Sequence, residues 1–331
     1  MIKKPEDISL KIKSGIKQGL IKGWKGLAWL LKIIIPISFA TTLLVHFGMI
    51  HKLDFLLAPV MTWICLPASA ALAIIMGIFT GIYGTVAALS VMPFCMEHMI
   101  LIAIFNLISH NMIQESMVQG NSGINPFFAG FFRLFMSFIV TFICAKIMGV
   151  TPETGGQILS QTNPAHETPS FLLMLMTWGR GTFKLIVQIF CIIMPLMVML
   201  ELAKTFHMMD FLTRMISPLL RVMGLSPSTG MLWLTAGIFG LTYGAAVIVE
   251  EAQSKKIEQQ DLNKLHLSIG INHAMIEDTA LFLPFGLPLF WLWIPRLATA
   301  IAATWIYSFC LSARRRIYVK HAEHKKFCNH R

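Results

Sequence analysis

Hydrophobic positions in this chain come in long blocks, not in alternation. Residues 27–48, 126–150 and 287–313 are nearly unbroken apolar runs, each reaching the roughly 20 residues a helix needs to cross a bilayer. Ten-residue segments of alternating polarity, the mark of a membrane β-barrel, do not occur. The pattern predicts an all-α polytopic membrane protein. Shorter blocks fall between the long ones. Residues 53–65 and 210–224 read as amphipathic helices, with Asp54 and Asp210 expected to cap them. Residues 67–93 and 227–250 start at a proline and are interrupted by glycines, while 97–119 and 262–283 carry polar residues in apolar surroundings.

The blocks recur in the same order. GIFTGIYGTVAAL at Gly77–Leu89 matches GIFGLTYGAAVIV at Gly237–Val249, shifted by 160. SHNMIQES at Ser109–Ser116 matches NHAMIEDT at Asn272–Thr279, and Arg133-Leu134 matches Arg296-Leu297, both shifted by 163. Several independent motifs at near-constant spacing mark an internal duplication. Each repeat then reads as a long span, a short amphipathic helix, a Gly-interrupted segment, a polar-motif helix and a closing span that carries the arginine. The Gly-interrupted segments are read as re-entrant hairpins, with tips at Gly81, Tyr83 and Gly84 and at Tyr243 and Gly244. Non-helical backbone of this kind is tolerated at membrane depth only where it is buried in protein or lines a cavity. Close helix packing is the alternative use of the same glycines. Three full spans per repeat is an odd number, so the second repeat is expected inverted, with six spans in all. Inverted repeats with broken helices are a secondary-transporter architecture.

Charge sets the orientation. The chain has 331 residues, of which 13% are charged and 56% hydrophobic, against about 25% charged in soluble domains. The net charge of +11 resides in the two tails, +5 over residues 1–26 and +6 over 312–331. By the positive-inside rule both termini are expected in the cytoplasm, with the chain multi-pass in the inner membrane. Residues 149–179 hold no Lys or Arg and are expected outside. The expected organisation is a basic amphipathic helix on the cytoplasmic membrane surface (1–26, with Ile8, Ile12, Ile16 and Leu20 toward lipid), repeat 1 (27–150), an external connector (151–179), repeat 2 (180–312) and a basic cytoplasmic tail (313–331). No recognition module accompanies the basic tails, so no nucleic-acid partner is expected. The six cysteines form no C-x-x-C pair, and no phosphate-binding loop is present. No nucleophile–base arrangement stands out, so neither an enzyme nor a cofactor is expected.

The chemistry concentrates in GINHAMIEDTALF, Gly270–Phe282. An ionised side chain at the bilayer centre costs about 2.5–3.5 kcal/mol on insertion scales, so these groups are expected to face protein or a path. On a continuous helix His273 and Glu277 would share a face, as would His110 and Gln114, while Asp278 and Glu115 lie ~100° further around. Glu115 precedes Arg133 by 18 residues, and Asp278 precedes Arg296 by 18. Antiparallel neighbours with that spacing meet about 13 Å from their turn, so Glu115–Arg133 and Asp278–Arg296 are the expected structural ion pairs. His110, Asn111, Gln114, Asn272, His273, Glu277 and Thr279 are then left to line a substrate path. Glu277 faces only a glutamine in the other repeat, which makes it the expected decisive carboxylate, able to carry a coupling proton or cation. No metal is expected; as an alternative, His110, His273 and Glu277 could hold a divalent ion across the two repeats.

GLTYGAAVIVEEA followed by GINHAMIEDTALFLPFG, with the degenerate copy GIYGTVAAL…SHNMIQES, resembles bacterial membrane proteins of the nucleoside-recognition, or Gate, family. That family is similar to spore-maturation membrane proteins and to the pore regions of concentrative nucleoside transporters and ferrous-iron permeases. The resemblance spans about residues 27–312 and implies a pore-and-gate module. The Gln-Thr-Glu tip signature of the nucleoside carriers is absent near Gly81–Gly84, as is the GTP-binding domain of the iron permeases. The expected partners are the lipid bilayer, a small solute, a coupling proton or cation, and further copies of the chain as a homo-oligomer. The expected function is a permease for a small solute, with a divalent-cation permease and a non-transporting scaffold as alternatives.

Overall fold

The computed structural model describes residues 5–152, 170–206, 208–226, 229–238, 240–241 and 257–328. Among these residues every regular element is helical, and five helices are long and apolar enough to cross a membrane: Ser9–His46, Met96–Asn121, Pro126–Met148, Phe171–Thr205 and Leu289–Arg314.

The chain opens with α1 (Pro5–His46), a single helix of 42 residues. At 1.5 Å per residue it is about 63 Å long, twice the ~30 Å hydrocarbon core. The sequence reading separates a surface helix at 1–26 from a span starting at 27; the chain instead forms one continuous rod. Gly15, Gly19 and Gly23 make a buried stripe along its N-terminal third, and Ile12, Ile16 and Leu20 are exposed. That stripe packs on α8 (Phe171–Thr205). A Cβ added at Gly19 would lie 2.5 Å from Val198 Cα, so the absent side chain is what lets the two backbones approach. Lys22 closes the contact with a 2.6 Å ion pair to the buried Glu201.

After α2 (Ile50–Trp63) come α3 (Ala70–Thr80) and α4 (Ile82–Leu89), which fold back on each other. Thr85 Oγ1 donates to the Ala73 carbonyl at 3.4 Å. Twelve residues of straight helix would hold those groups about 18 Å apart, so the chain reverses at Gly81. Gly81 has φ +82 and ψ −178, a conformation essentially restricted to glycine. Each arm is too short to cross a bilayer, as expected of a re-entrant hairpin. In the second half α10 (Thr229–Ile238) is the matching first arm. Gly240 again has φ +82, while Tyr243 and Gly244 lie outside the described residues.

The centre of the molecule is α5 (Met96–Ser109), buried on all sides from Ile100 onward, together with α11 (Gln259–Ile271). α6 (Met112–Asn121) and α7 (Pro126–Met148) follow α5. α12 (Glu277–Ala280), a 3-10 turn at Leu283–Phe285 and α13 (Leu289–Cys328) follow α11. α7 packs on α5, α13 on α11, and each also touches the other half's central helix.

Two expectations are corrected. The segment 262–283 is not one continuous helix. It is a 13-residue helix, an irregular stretch from Asn272 to Ile276 and a four-residue turn. Asp54 and Asp210 are not caps, because α2 begins at Ile50 and α9 (Met208–Val222) at Met208.

Candidate functional site

The site grows out of two helix breaks. α5 ends at Ser109, His110 is extended (φ −67, ψ 159), and Asn111 turns left-handed (φ 47, ψ 40) before α6 begins. α11 ends at Ile271, and Ala274 takes the same left-handed turn (φ 44). Each break is tied to the neighbouring hairpin. Asn111 N–H donates to the Gly77 carbonyl at 2.9 Å, while Ala274 and Met275 N–H donate to Ala236 (3.1 Å) and Gly237 (2.7 Å). The tip glycines press on the breaks: a Cβ at Gly81 would lie 3.8 Å from Asn111 Cβ, and one at Gly240 would lie 3.6 Å from Ala274 Cβ.

Broken helices leave carbonyls without partners, and one arginine per half covers them. Arg133 Nε donates to the Ile108 carbonyl and its Nη2 to the His110 carbonyl, each at 2.9 Å. Arg296 does the same for Ile271 (3.1 Å) and His273 (2.7 Å). Both arginines are fully buried. The two differ in their acids. Arg133 Nη2 also donates to Glu115 Oε2 at 2.5 Å. Asp278 forms no ion pair with Arg296; its Oδ2 lies 3.3 Å from His110 Nε2, across the molecule. The expected register for that pair assumed a helix running through residues 272–278. With the break at Asn272–Ile276, Asp278 is carried toward the first half.

The two histidines face each other, with ring centroids 5.1 Å apart. His110 Nδ1 donates to the Asn106 carbonyl (2.8 Å) and His273 Nδ1 to the Ile269 carbonyl (2.9 Å). A carbonyl oxygen can only accept, so both Nδ1 atoms carry protons and both Nε2 atoms point inward. His110 Nε2 is 3.3 Å from Glu115 Oε1, and His273 Nε2 is 3.2 Å from Glu115 Oε2.

Glu277 is not beside the histidines. It lines a cavity of about 270 Å³ with Trp29, Tyr83, Asn111 and Gln114, where His110, Glu115 and Asp278 also reach the wall. Asn111 Nδ2 donates to Gln114 Oε1 at 3.1 Å. Asn272 and Thr279 are buried and contribute side-chain polar atoms without hydrogen-bond partners. Of the expected metal trio, His110 and His273 come together, but Glu115 takes the place of Glu277: the donor atoms of His110, Glu115 and His273 all lie within 4.8 Å of one another.

Several contributors escaped the sequence reading. Trp29 of α1 meets Tyr83 edge-on at 5.2 Å and forms one wall of the cavity. Gln119 Nε2 donates to the His266 carbonyl (3.1 Å) and His266 Nε2 to the Ser122 carbonyl (2.9 Å), stitching the halves together below the site. The duplication itself is the signal for this last pair, because it requires two central helices to share one core.

A protein of Bacillus subtilis (strain 168) named Uncharacterized membrane protein YvoD is 26% identical over 289 residues, covering 86% of this chain and 91% of that protein. No family model matches the chain, and no solved structure matches it. The apolar helices and this relative identify a membrane protein.

Proposed function

We propose that the chain is a permease that moves a small polar solute through the site at the paired helix breaks. One observation carries this reading. The 270 Å³ cavity is walled by both halves, with Gly81 and Asn111 on one side and Gly240, Ala274 and Glu277 on the other. A cavity between two matched, broken-helix halves is where a carrier binds its load, because relative motion of the halves can expose it to either face. The matched arginine forks, left-handed breaks and tip glycines support an inverted repeat as the frame for that motion. Both termini lie in the cytoplasm in this reading, on the inner face of the cytoplasmic membrane. The resemblance to Gate proteins makes nucleosides the first solutes to try. Gln114 and Glu277 supply polar atoms at the cavity wall.

The test replaces the native cysteines and introduces Gln114→Cys or Glu277→Cys. Sealed vesicles of known orientation are then treated with a membrane-impermeant thiol reagent from one face at a time. A permease exposes the cavity alternately, so each cysteine reacts from both faces. Reaction from a single face, unchanged by any solute, would instead support a scaffold. In parallel, labelled uridine and adenosine uptake into proteoliposomes is compared between the native chain and Glu277→Gln.

A further inference from the structure

We propose that His110, His273 and Glu115 form a binding site for a divalent transition-metal ion of the zinc class, with Asp278 beside it. The inference rests on lone pairs and holds whether or not the cavity passes a solute. Both imidazoles spend their Nδ1 protons on carbonyls, Asn106 for one and Ile269 for the other. In the neutral rings the Nε2 atoms therefore present lone pairs, and what they meet is carboxylate oxygen at 3.2 and 3.3 Å. Acceptor facing acceptor in a buried site is repulsive unless something electropositive stands between them. His273 Nε2 and Asp278 Oδ2 are both buried and without a hydrogen-bond partner.

Convergence favours a metal over separate protons. A proton needs only one nitrogen–oxygen pair, whereas here three residues from two halves of the chain come together, with one donor atom from each within 4.8 Å of the others. Bonds of about 2.0–2.1 Å in a tetrahedron place neighbouring ligand atoms ~3.3 Å apart, and each histidine nitrogen has a Glu115 oxygen at that spacing, Oε1 for His110 and Oε2 for His273, so the carboxylate would bind through both oxygens or turn to offer one. Two imidazoles and one carboxylate are a set used for catalytic-type zinc sites with a fourth position open. Here the open side faces the cavity, whose wall includes His110, Glu115 and Asp278. The outer shell is also built: backbone carbonyls orient both rings, and Arg133 holds Glu115 Oε2, the kind of support that fixes ligand orientation. Nitrogen ligands and a dry, closely spaced set argue against Mg²⁺, which keeps its waters and prefers oxygen. No cysteine belongs to the cluster, which argues against a thiolate-selective ion. Arg133 and Arg296 lie nearby and oppose a dication. The carboxylates of Glu115 and Asp278 offset them, so a moderate affinity is expected, weaker than that of a closed structural site.

The full chain, purified in detergent, is stripped with chelator and titrated with Zn²⁺, Co²⁺ and Mg²⁺. His321, His324 and His330 in the tail are first changed to alanine so that they cannot contribute. The expected result is one Zn²⁺ per chain, no Mg²⁺ binding, and the visible bands of low-symmetry, near-tetrahedral Co²⁺. His273→Gln should weaken Zn²⁺ binding at least ~100-fold, beyond the roughly 10–100-fold typical of losing an outer-shell partner. X-ray absorption on the zinc-loaded native site should show two imidazoles and no sulfur, a readout that needs no variant to fold. Absence of stoichiometric Zn²⁺, a sulfur shell, or unchanged affinity in a monodisperse His273→Gln protein overturns the proposal. The first of these outcomes would leave protons as the species between nitrogen and oxygen.

Discussion

The two arginines make the same backbone contacts and differ in one carboxylate, so they should respond differently to the same substitution. In Arg133→Met the Ile108 and His110 carbonyls lose their donors and Glu115 is left buried without its guanidinium. Stranding one member of a buried pair costs about 3–5 kcal/mol. Each orphaned buried carbonyl adds roughly 1–3 kcal/mol where no water replaces the donor. A loss of at least about 5 kcal/mol is expected. In Arg296→Met the Ile271 and His273 carbonyls are orphaned in the same way, but no paired acid is stranded. The expected loss is about 2–6 kcal/mol, from the carbonyls alone. Charge removal then separates the two. Adding Glu115→Gln should recover about 2–3 kcal/mol in the Arg133→Met background, because a neutral amide no longer needs the guanidinium. Adding Asp278→Asn should recover little in the Arg296→Met background. Reversible unfolding in mixed detergent micelles, followed by tryptophan fluorescence, measures the four variants and the parent. If Asp278→Asn rescues Arg296→Met as fully as Glu115→Gln rescues Arg133→Met, the assignment of Asp278 to His110 is wrong.

Other outcomes follow from single positions. Gly81→Ala should cost roughly 1–3 kcal/mol, since φ +82 with extended ψ is a conformation other residues resist; a melting midpoint equal to the parent's would contradict the tip geometry. Ala274→Gly should raise the midpoint, by up to about 1 kcal/mol, by relieving a left-handed alanine, whereas Ala274→Val should lower it. At Gly77 a methyl group would overlap the side chains of Asn106 and Thr85, so Gly77→Ala should lose several kcal/mol by overpacking, about 1–3 being typical, and normal expression would count against the α3–α5 packing. Gly19→Leu should separate α1 from α8, read as loss of a disulfide engineered between the two helices.

Much of the frame was legible because its signals are local and strong. The apolar blocks and the 18-residue interval from Glu115 to Arg133 both survive as geometry. What escaped depends on backbone conformation that the residue types do not announce. Asn111 is a tolerable left-handed residue, but Ala274 is a good helix former held left-handed by its hydrogen bonds to the hairpin. Local propensity therefore argued for a helix through 272–278, and that assumption placed Glu277 beside His273 and Asp278 beside Arg296. Trp29 was hidden for a different reason. The stretch Trp24–Leu27 carries no helix breaker beyond Gly26, so α1 runs through it, and the lysine-rich leader and the cavity wall belong to one element. The convergence of Glu115 with a histidine 158 positions later has no local signature at all.

The unequal partners of Glu115 and Asp278 also make the two halves unequally self-sufficient. Glu115 finds Arg133 within its own hairpin, so the first half neutralises this buried charge by itself. Asp278 has no such companion nearby; its contact is a histidine synthesised more than 160 residues earlier. The buried carboxylate of the second half is therefore met only when both halves are in place, whereas that of the first half is not.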